Sequence, residues 1–254
     1  MIKKLIPSSI KRKVKLCLHA GNKYQCPICG YKAKDLFPFG LDLPVLKEKK
    51  VIGAGLRNTG CYKCNSSDRE RLIYAYLKEK LKIFNQAKDI KFLHLAPEKN
   101  ISKALINFGF ENYICGDLFT EGYDYPDYVR KMDVLNLPFE DNYFDIIICN
   151  HLLEHVPDDI GAMEELYRVL KSGGKAILQV PISKNSEKTF EDFLVTDPKE
   201  REIVFGQSDH LRIYGQDYTD RLQSVGFSID RIHVPEIFFK YGVAADEDIF
   251  IGMK

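Results

Sequence analysis

From Ile90 onward, short apolar runs alternate with stretches of helical periodicity, and this alternation restricts the fold more than any other feature of the chain. Strands that alternate with helices pair in parallel, because each helix carries the chain back across a sheet face. The first strand is expected over Ile90–Ala96, the second over Tyr113–Asp117 and the third over Val129–Asp133. The fourth is expected over Phe144–Asn150 and the fifth over Lys175–Val180, with Phe227–Val234 and Asp248–Met253 as the last two. Helices are expected over Ile101–Phe108, ended by Gly109, over Gly161–Leu170, with Gly173 and Gly174 as its stop, and over Gln216–Val225, stopped by Gly226. The pattern predicts a doubly wound, mostly parallel α/β sheet. The polar stretch from Ser183 to His210 is too long for an ordinary connection, so it reads as a functional loop or a small insertion.

The chain ahead of Ile90 is different. Ser67 and Glu70 have the spacing of a capping box, and Leu72, Ile73, Tyr76, Leu77 and Leu81 then form an apolar stripe. A connecting helix is therefore expected from Ser67 to Phe84. Before it, residues from Lys23 to Asn65 are loop-rich and hold two cysteine pairs. Three parts result: a basic N-terminal helix over residues 1–22, a four-cysteine module over 23–66, and the α/β domain over 67–254, with a substrate-side insertion at 183–214.

The pairs are Cys26-Pro27-Ile28-Cys29-Gly30 and Cys61-Tyr62-Lys63-Cys64-Asn65. Each turn presents two sulfurs on one side, and two such turns close a tetrahedral thiolate shell around zinc. Gly30 and Asn65 tolerate the left-handed backbone that ends each turn. Cys26, Cys29, Cys61 and Cys64 are the expected ligands. A closed shell leaves no open position, so this zinc has a folding role. Of the seven cysteines, Cys115 and Cys149 fall in expected buried strands and read as small core hydrophobes.

The formal net charge of +1 gives no case for a nucleic-acid binder from the whole chain. The first residues differ: Lys3, Lys4, Lys11, Arg12, Lys13, Lys15 and Lys23 precede Cys26 with no acid among them. They read as a solvated helix face, with Leu5, Ile6, Val14, Leu16 and Leu18 able to supply an apolar side for a membrane surface. No apolar run is long enough to span a bilayer, and the N-terminus lacks the pattern of a signal peptide. A cytoplasmic location is expected, where thiols stay reduced.

Two stretches carry a resemblance. One is Asp133-Val134-Leu135-Asn136-Leu137-Pro138-Phe139, followed by Phe144-Asp145-Ile146-Ile147-Ile148-Cys149-Asn150-His151-Leu152-Leu153-Glu154-His155-Val156-Pro157. The other is Tyr167-Arg168-Val169-Leu170-Lys171-Ser172-Gly173-Gly174, leading into Lys175-Ala176-Ile177-Leu178-Gln179-Val180-Pro181. Over about Ile90 to Met253 the chain resembles class I S-adenosylmethionine-dependent methyltransferases with a type 11-like domain, joined here to a zinc-ribbon-like module. The resemblance implies a Rossmann-like seven-stranded sheet, S-adenosylmethionine as cofactor, and methyl transfer.

A doubly wound sheet binds ligands at the carboxyl ends of its strands. There the resemblance assigns Asp117 to a ribose diol and Asp133 to an adenine amine. Leu95 and Ala96 fall in the first turn, where the amino-acid end would lie, and Val134 stands beside Asp133. Glu98 would meet the amino group, Asn150 and His151 would line the methionine portion, and Leu135 would pack near the adenine. The family usually carries several glycines in the first loop. This chain has His94-Leu95-Ala96-Pro97-Glu98, without one, so its amino-acid end is expected to be held differently.

Methyl transfer to oxygen or nitrogen needs in-line alignment and often a base. His151, His210 and Tyr214 are the catalytic candidates, and Asp209, His210, Arg212 and Tyr214 the substrate contacts. His151-Leu152-Leu153-Glu154-His155 formally matches an inverted zinc-protease signature. That chemistry needs a helix, whereas this motif follows a strand directly and Val156-Pro157 stops any helix. A small-molecule or glycan acceptor, as in surface-polysaccharide assembly, is the expected substrate. An RNA methyltransferase using the cysteine module for RNA contact, or a non-catalytic binding protein on the same fold, are the alternatives.

Overall fold

The structure, a computed structural model, describes residues 7–120 and 124–254. The first part of the expected basic helix, with Lys3, Lys4, Leu5 and Ile6, lies outside the described residues. Seven strands form the central sheet: β1 (Phe92–Leu95), β2 (Tyr113–Asp117), β3 (Arg130–Lys131), β4 (Phe144–Asn150), β5 (Leu170–Gln179), β6 (Ser228–His233) and β7 (Asp248–Met253). Their order across the sheet is β6-β7-β5-β4-β1-β2-β3. The first five are parallel, and β7 runs antiparallel to both β5 and β6. The chain starts at β1, winds outward through β2 to β3, and returns to β4 on the other side of β1. This is a Rossmann-like α/β fold, and its winding reverses between β1 and β4.

Strand alternation divides the core into two layers. In β4, Ile146 and Ile148 join one cluster while Ile147 and Cys149 join the other. Helices α3 (Asp68–Ala75) and α4 (Lys99–Phe108) cover the first face with Leu72, Ile73, Ile101 and Leu105. Helices α5 (Asp159–Val169) and α7 (Tyr218–Ser224) cover the second with Met163, Leu166, Tyr218 and Leu222. Each fully buried leucine or isoleucine contributes about 1.5–3 kcal/mol. Cys115 and Cys149 are buried, as their strand positions predict.

Two expectations need correction. Ser67 and Glu70 do form a reciprocal capping box, but the helix they start does not run to Phe84. It ends at Ala75, continues as a π turn over Tyr76–Lys80, and breaks at Lys82, which adopts φ 52°. Gly173 and Gly174 do not stop α5, which passes into β5 directly at Leu170. Gly173, at φ 78°, instead lies where the β5–β4 register shifts between Leu170 and Lys175. The stretch after β5, expected as a functional loop or a small insertion, carries structure of its own. Phe190–Glu191 pairs with Arg212–Ile213, helix α6 (Pro198–Phe205) lies between them, and Val195, Phe205 and Ile213 form a small core of their own.

The front of the chain, which includes the short helix α2 (Pro44–Glu48), is tied to the sheet domain. Val51–Ile52 pairs with Ile182–Ser183, just beyond β5. Arg71 is fully buried and donates to the carbonyls of Thr59, Ser66, Tyr241 and Gly242. By contrast, helix α1 (Ser8–Leu18) buries none of its residues and leaves Ile10, Val14 and Leu18 exposed along one side. Among the described residues no helix is long and apolar enough to cross a membrane.

Candidate functional site

A cavity of about 620 Å³ opens at the carboxyl ends of β1, β2 and β4. Its size suits a small organic ligand. Leu95, Ala96, Asp117, Asp133, Val134 and His151 line it, so six of the eight expected cofactor residues meet there. Glu98 and Asn150 stand behind that wall, in a tight cleft shared with His151 and Arg69.

The glycine-free loop after β1 turns by putting Ala96 itself at φ 47°. Pro97 brings no N–H, so donors must come from the helix that follows. Glu98 is the N-cap residue of α4, yet its carboxylate makes no cap bond. It accepts instead from His94 Nε2 at 2.7 Å and Asn150 Nδ2 at 3.1 Å. Burial works to raise the Glu98 pKa, but His94 outweighs it and the carboxyl stays ionised below its ordinary range. No side chain caps the first turn of α4, which leaves its N–H groups for an anion. Asn150 Oδ1 is buried without a partner. A ligand ammonium group would satisfy it.

Asp117 ends β2 and faces the cavity. Tyr125 Oη donates to its Oδ1 at 3.3 Å, and Phe119 stacks on Tyr125 with ring centres 4.4 Å apart. Sequence reasoning missed Tyr125. Its signal was the aromatic-rich run Tyr123-Asp124-Tyr125-Pro126-Asp127-Tyr128 just after the second strand. Asp133 has a structural duty as well, since its Oδ1 accepts the Leu135 N–H at 2.9 Å. Leu135 is partly exposed on the cavity wall.

The other end of the cavity is built from the turn after β4 and the segment before Arg212. His151 adopts φ 51°, and its Nδ1 lies 3.4 Å from Glu154 Oε1 without forming a hydrogen bond. Glu154 is 1% exposed, on a 3₁₀ turn over Leu153–His155. His155 Nδ1 is 3.4 Å from Asp209 Oδ2, and its ring meets the His210 ring edge-on at 4.7 Å. His155 and Asp209 line the main cavity, while His210 faces a smaller cleft of about 80 Å³ shared with Phe39, Gly53 and Arg57 of the front part.

Burial opposes ionisation of Glu154, but His151, His155 and His210 together hold its pKa down at about 2. The His155 imidazole beside Asp209 holds that carboxyl well below the usual range. Burial pushes His210 down to about 4. At neutral pH the cluster therefore presents two carboxylates and, at His210, an unprotonated imidazole.

Two expected substrate residues are not brought to either cavity. Arg212 is 1% exposed and donates to the carbonyls of Leu153, Val156 and Pro157 and to Glu191 Oε2. Its donors brace the turn that carries His151 and His155. Tyr214 is fully buried, its hydroxyl donating to Asp159 Oδ2 at 2.7 Å, and burial raises its pKa well above the ordinary value. Both are scaffolding behind the cluster.

The four expected metal cysteines do converge. All four Sγ atoms lie within 4.8 Å of one another, with Cys26–Cys64 and Cys29–Cys61 at 3.7 Å. That spacing is close to the edge of a tetrahedron with ~2.3 Å zinc–sulfur bonds. Gly30 at φ 70° and Asn65 at φ 59° end the two turns in the same way. Their N–H groups donate to the carbonyls of Cys26 and Cys61. The donor set fits a structural zinc.

Residues 101–178 match the family model described as a methyltransferase domain. S-adenosylmethionine is the cofactor of that family. Over 45 residues the chain is 47% identical to a demethylmenaquinone methyltransferase of Staphylococcus epidermidis, covering 18% of this chain and 19% of that protein. Over 66 residues it is 42% identical to an uncharacterised protein of Methanocaldococcus jannaschii, covering 25% of this chain and 28% of that one. The chain thus spans less than a third of the length of these curated relatives. A solved S-adenosylmethionine-dependent methyltransferase from Archaeoglobus fulgidus superposes with a TM-score of 0.45 at 16% identity, covering 73% of this chain and 94% of that one.

Proposed function

We propose that this chain, which carries a methyltransferase domain over residues 101–178, transfers a methyl group from S-adenosylmethionine to an oxygen or nitrogen of a small-molecule or glycan acceptor. The observation that carries the reading is Asp117, a carboxylate at the end of β2 facing a cavity of about 620 Å³ at the switch point of the sheet. When bound, S-adenosylmethionine supplies an electrophilic methyl on a sulfonium sulfur. Asp117 accepts from the ribose hydroxyls, and the open first turn of α4 takes the carboxylate. Asn150 Oδ1 and Glu98, in the cleft that shares His151 with the cavity, would answer the ammonium group. Asp133, with Val134 and Leu135 beside it on the cavity wall, would hold the adenine.

The acceptor then lies toward His151, His155 and Asp209, which line the same cavity. A group held there has a histidine within reach for its proton, and alignment does most of the remaining work. A lipid-linked glycan of surface-polysaccharide assembly is the acceptor favoured by α1, whose exposed Ile10, Val14 and Leu18 run beside its lysines. Calorimetric titration with S-adenosylmethionine tests the reading. One-site binding is expected, weakened about 10- to 100-fold in Asp117→Ala by loss of charged hydrogen bonds of about 1.5–3 kcal/mol. Absence of binding by the folded, zinc-loaded chain would refute it.

A further inference from the structure

We infer that Glu154, His155 and His210 form a second metal site, one that takes a divalent transition-metal ion such as zinc and leaves a coordination position open toward the acceptor end of the cavity. One ligand atom from each of the three lies within 4.8 Å of the other two. Two imidazoles and a carboxylate are a ligand set that open zinc sites use, with the fourth position left for water or substrate. The thiolate site is closed by its four sulfurs, so the two sites differ in chemistry as well as in place.

The geometry departs from the helical signature that the sequence suggests. His151, the first residue of that motif, is not among the three. The third ligand is His210, delivered from the segment before Arg212, which clamps the turn of Leu153 to Pro157 from behind. The site therefore exists only in the folded chain.

A second observation points to a ligand. Glu154 is 1% exposed, yet its Oε2 is buried without a hydrogen-bond partner, and so is His151 Nδ1 beside it. Buried polar atoms rarely stay unpaired, and a carboxylate oxygen facing imidazoles is satisfied by a cation. Asp209 Oδ2, 3.4 Å from His155 Nδ1, is placed as the outer carboxylate that orients a ligating imidazole through its other nitrogen. A regular tetrahedron with ~2.0 Å bonds has edges of about 3.3 Å. Binding draws the two rings inward by side-chain rotation. His155 lines the main cavity and His210 the smaller cleft, so the site lies between the two and is reached from the acceptor end through His155.

The inference stands without the methyl-transfer reading, since it concerns binding of the ion alone. The test uses the full chain with its thiolate site already filled with zinc, titrated with Co²⁺. A second equivalent is expected, giving weak visible bands without the intense thiolate-to-metal charge transfer that cobalt in the cysteine site would show. His210→Ala and Glu154→Gln should each weaken that equivalent by at least about 100-fold while leaving one zinc per chain and the far-ultraviolet circular dichroism unchanged. Should Glu154→Gln misfold, His210→Ala alone decides. Overturning results are a total of one metal per chain, a second equivalent with thiolate bands, or a second equivalent that His210→Ala leaves intact. Calorimetry with S-adenosylmethionine on the same samples reports separately on the cofactor, so failure of either reading is seen by itself.

Discussion

Replacing Arg212 by methionine tests whether this residue braces the site or touches substrate. The guanidinium is 1% exposed and makes four hydrogen bonds, three to carbonyls and one to Glu191. Methionine keeps the volume and deletes the donors. Glu191 is partly exposed and regains water, so little of the cost falls there. Asp159 keeps Arg221 as its partner. The cost falls on the carbonyls of Leu153, Val156 and Pro157, each about 1–3 kcal/mol if left unpaired in the interior. Allowing for partial relaxation, the loss should be about 3–5 kcal/mol, the range seen when one partner of a buried charged network is removed. That is a large part of the 5–15 kcal/mol by which domains are stable. Equilibrium unfolding in urea measures it, with an unchanged slope expected. Arg212→Lys should recover less than half, because an ammonium cannot fan out to three carbonyls and a carboxylate. A variant within about 1 kcal/mol of the parent would refute the bracing argument and return Arg212 to the substrate side.

Other outcomes follow from the same geometry. Burial, with Asp68 nearby, raises Glu247 to about 7, so the folded state binds its proton more tightly than the unfolded state. The penalty is absent below the unfolded value of about 4.5 and complete above about pH 7, so Glu247→Gln should leave stability unchanged at pH 4 and raise it by up to about 3 kcal/mol at pH 8. Cys29→Ser, or stripping by a strong chelator, should remove one zinc per chain and lower the thermal midpoint by at least about 10 °C, read by metal analysis and calorimetry. The chain should sediment with vesicles containing phosphatidylserine and not with neutral ones, and Val14→Glu should weaken that binding about tenfold.

The strands were the most legible part of the chain. β2, β4 and β7 begin and end where their apolar runs do, because a strand covered on both faces has no solvated face to blur its limits. The two cysteine turns were equally plain, since ligand spacing and left-handed residues are local. What the sequence hid depends on contacts made far along the chain. Arg212 and Tyr214 sit in a polar stretch that reads as substrate-facing, and only the fold turns them inward toward carbonyls and a carboxylate of residues 153–159. Gly173 sits close behind the last residue of α5, where it reads as a stop; the strand had already begun. Tyr125 reaches Asp117 from a loop whose path no periodicity foretells.

Arg71 also sets a timetable for biosynthesis. Its guanidinium is enclosed by carbonyls contributed by Thr59 and Ser66 on one side and by Tyr241 and Gly242 on the other. While the chain is being made, the first pair emerges from the ribosome well before the second. Through that interval the cysteine module can take up zinc, but the arginine beneath it must stay hydrated and the joint between the module and the sheet must stay open. Emergence of Tyr241 and Gly242 is thus the event that lets the module and the sheet lock together. A nascent protein stalled short of Tyr241 would carry a loaded zinc turn on an unsealed base.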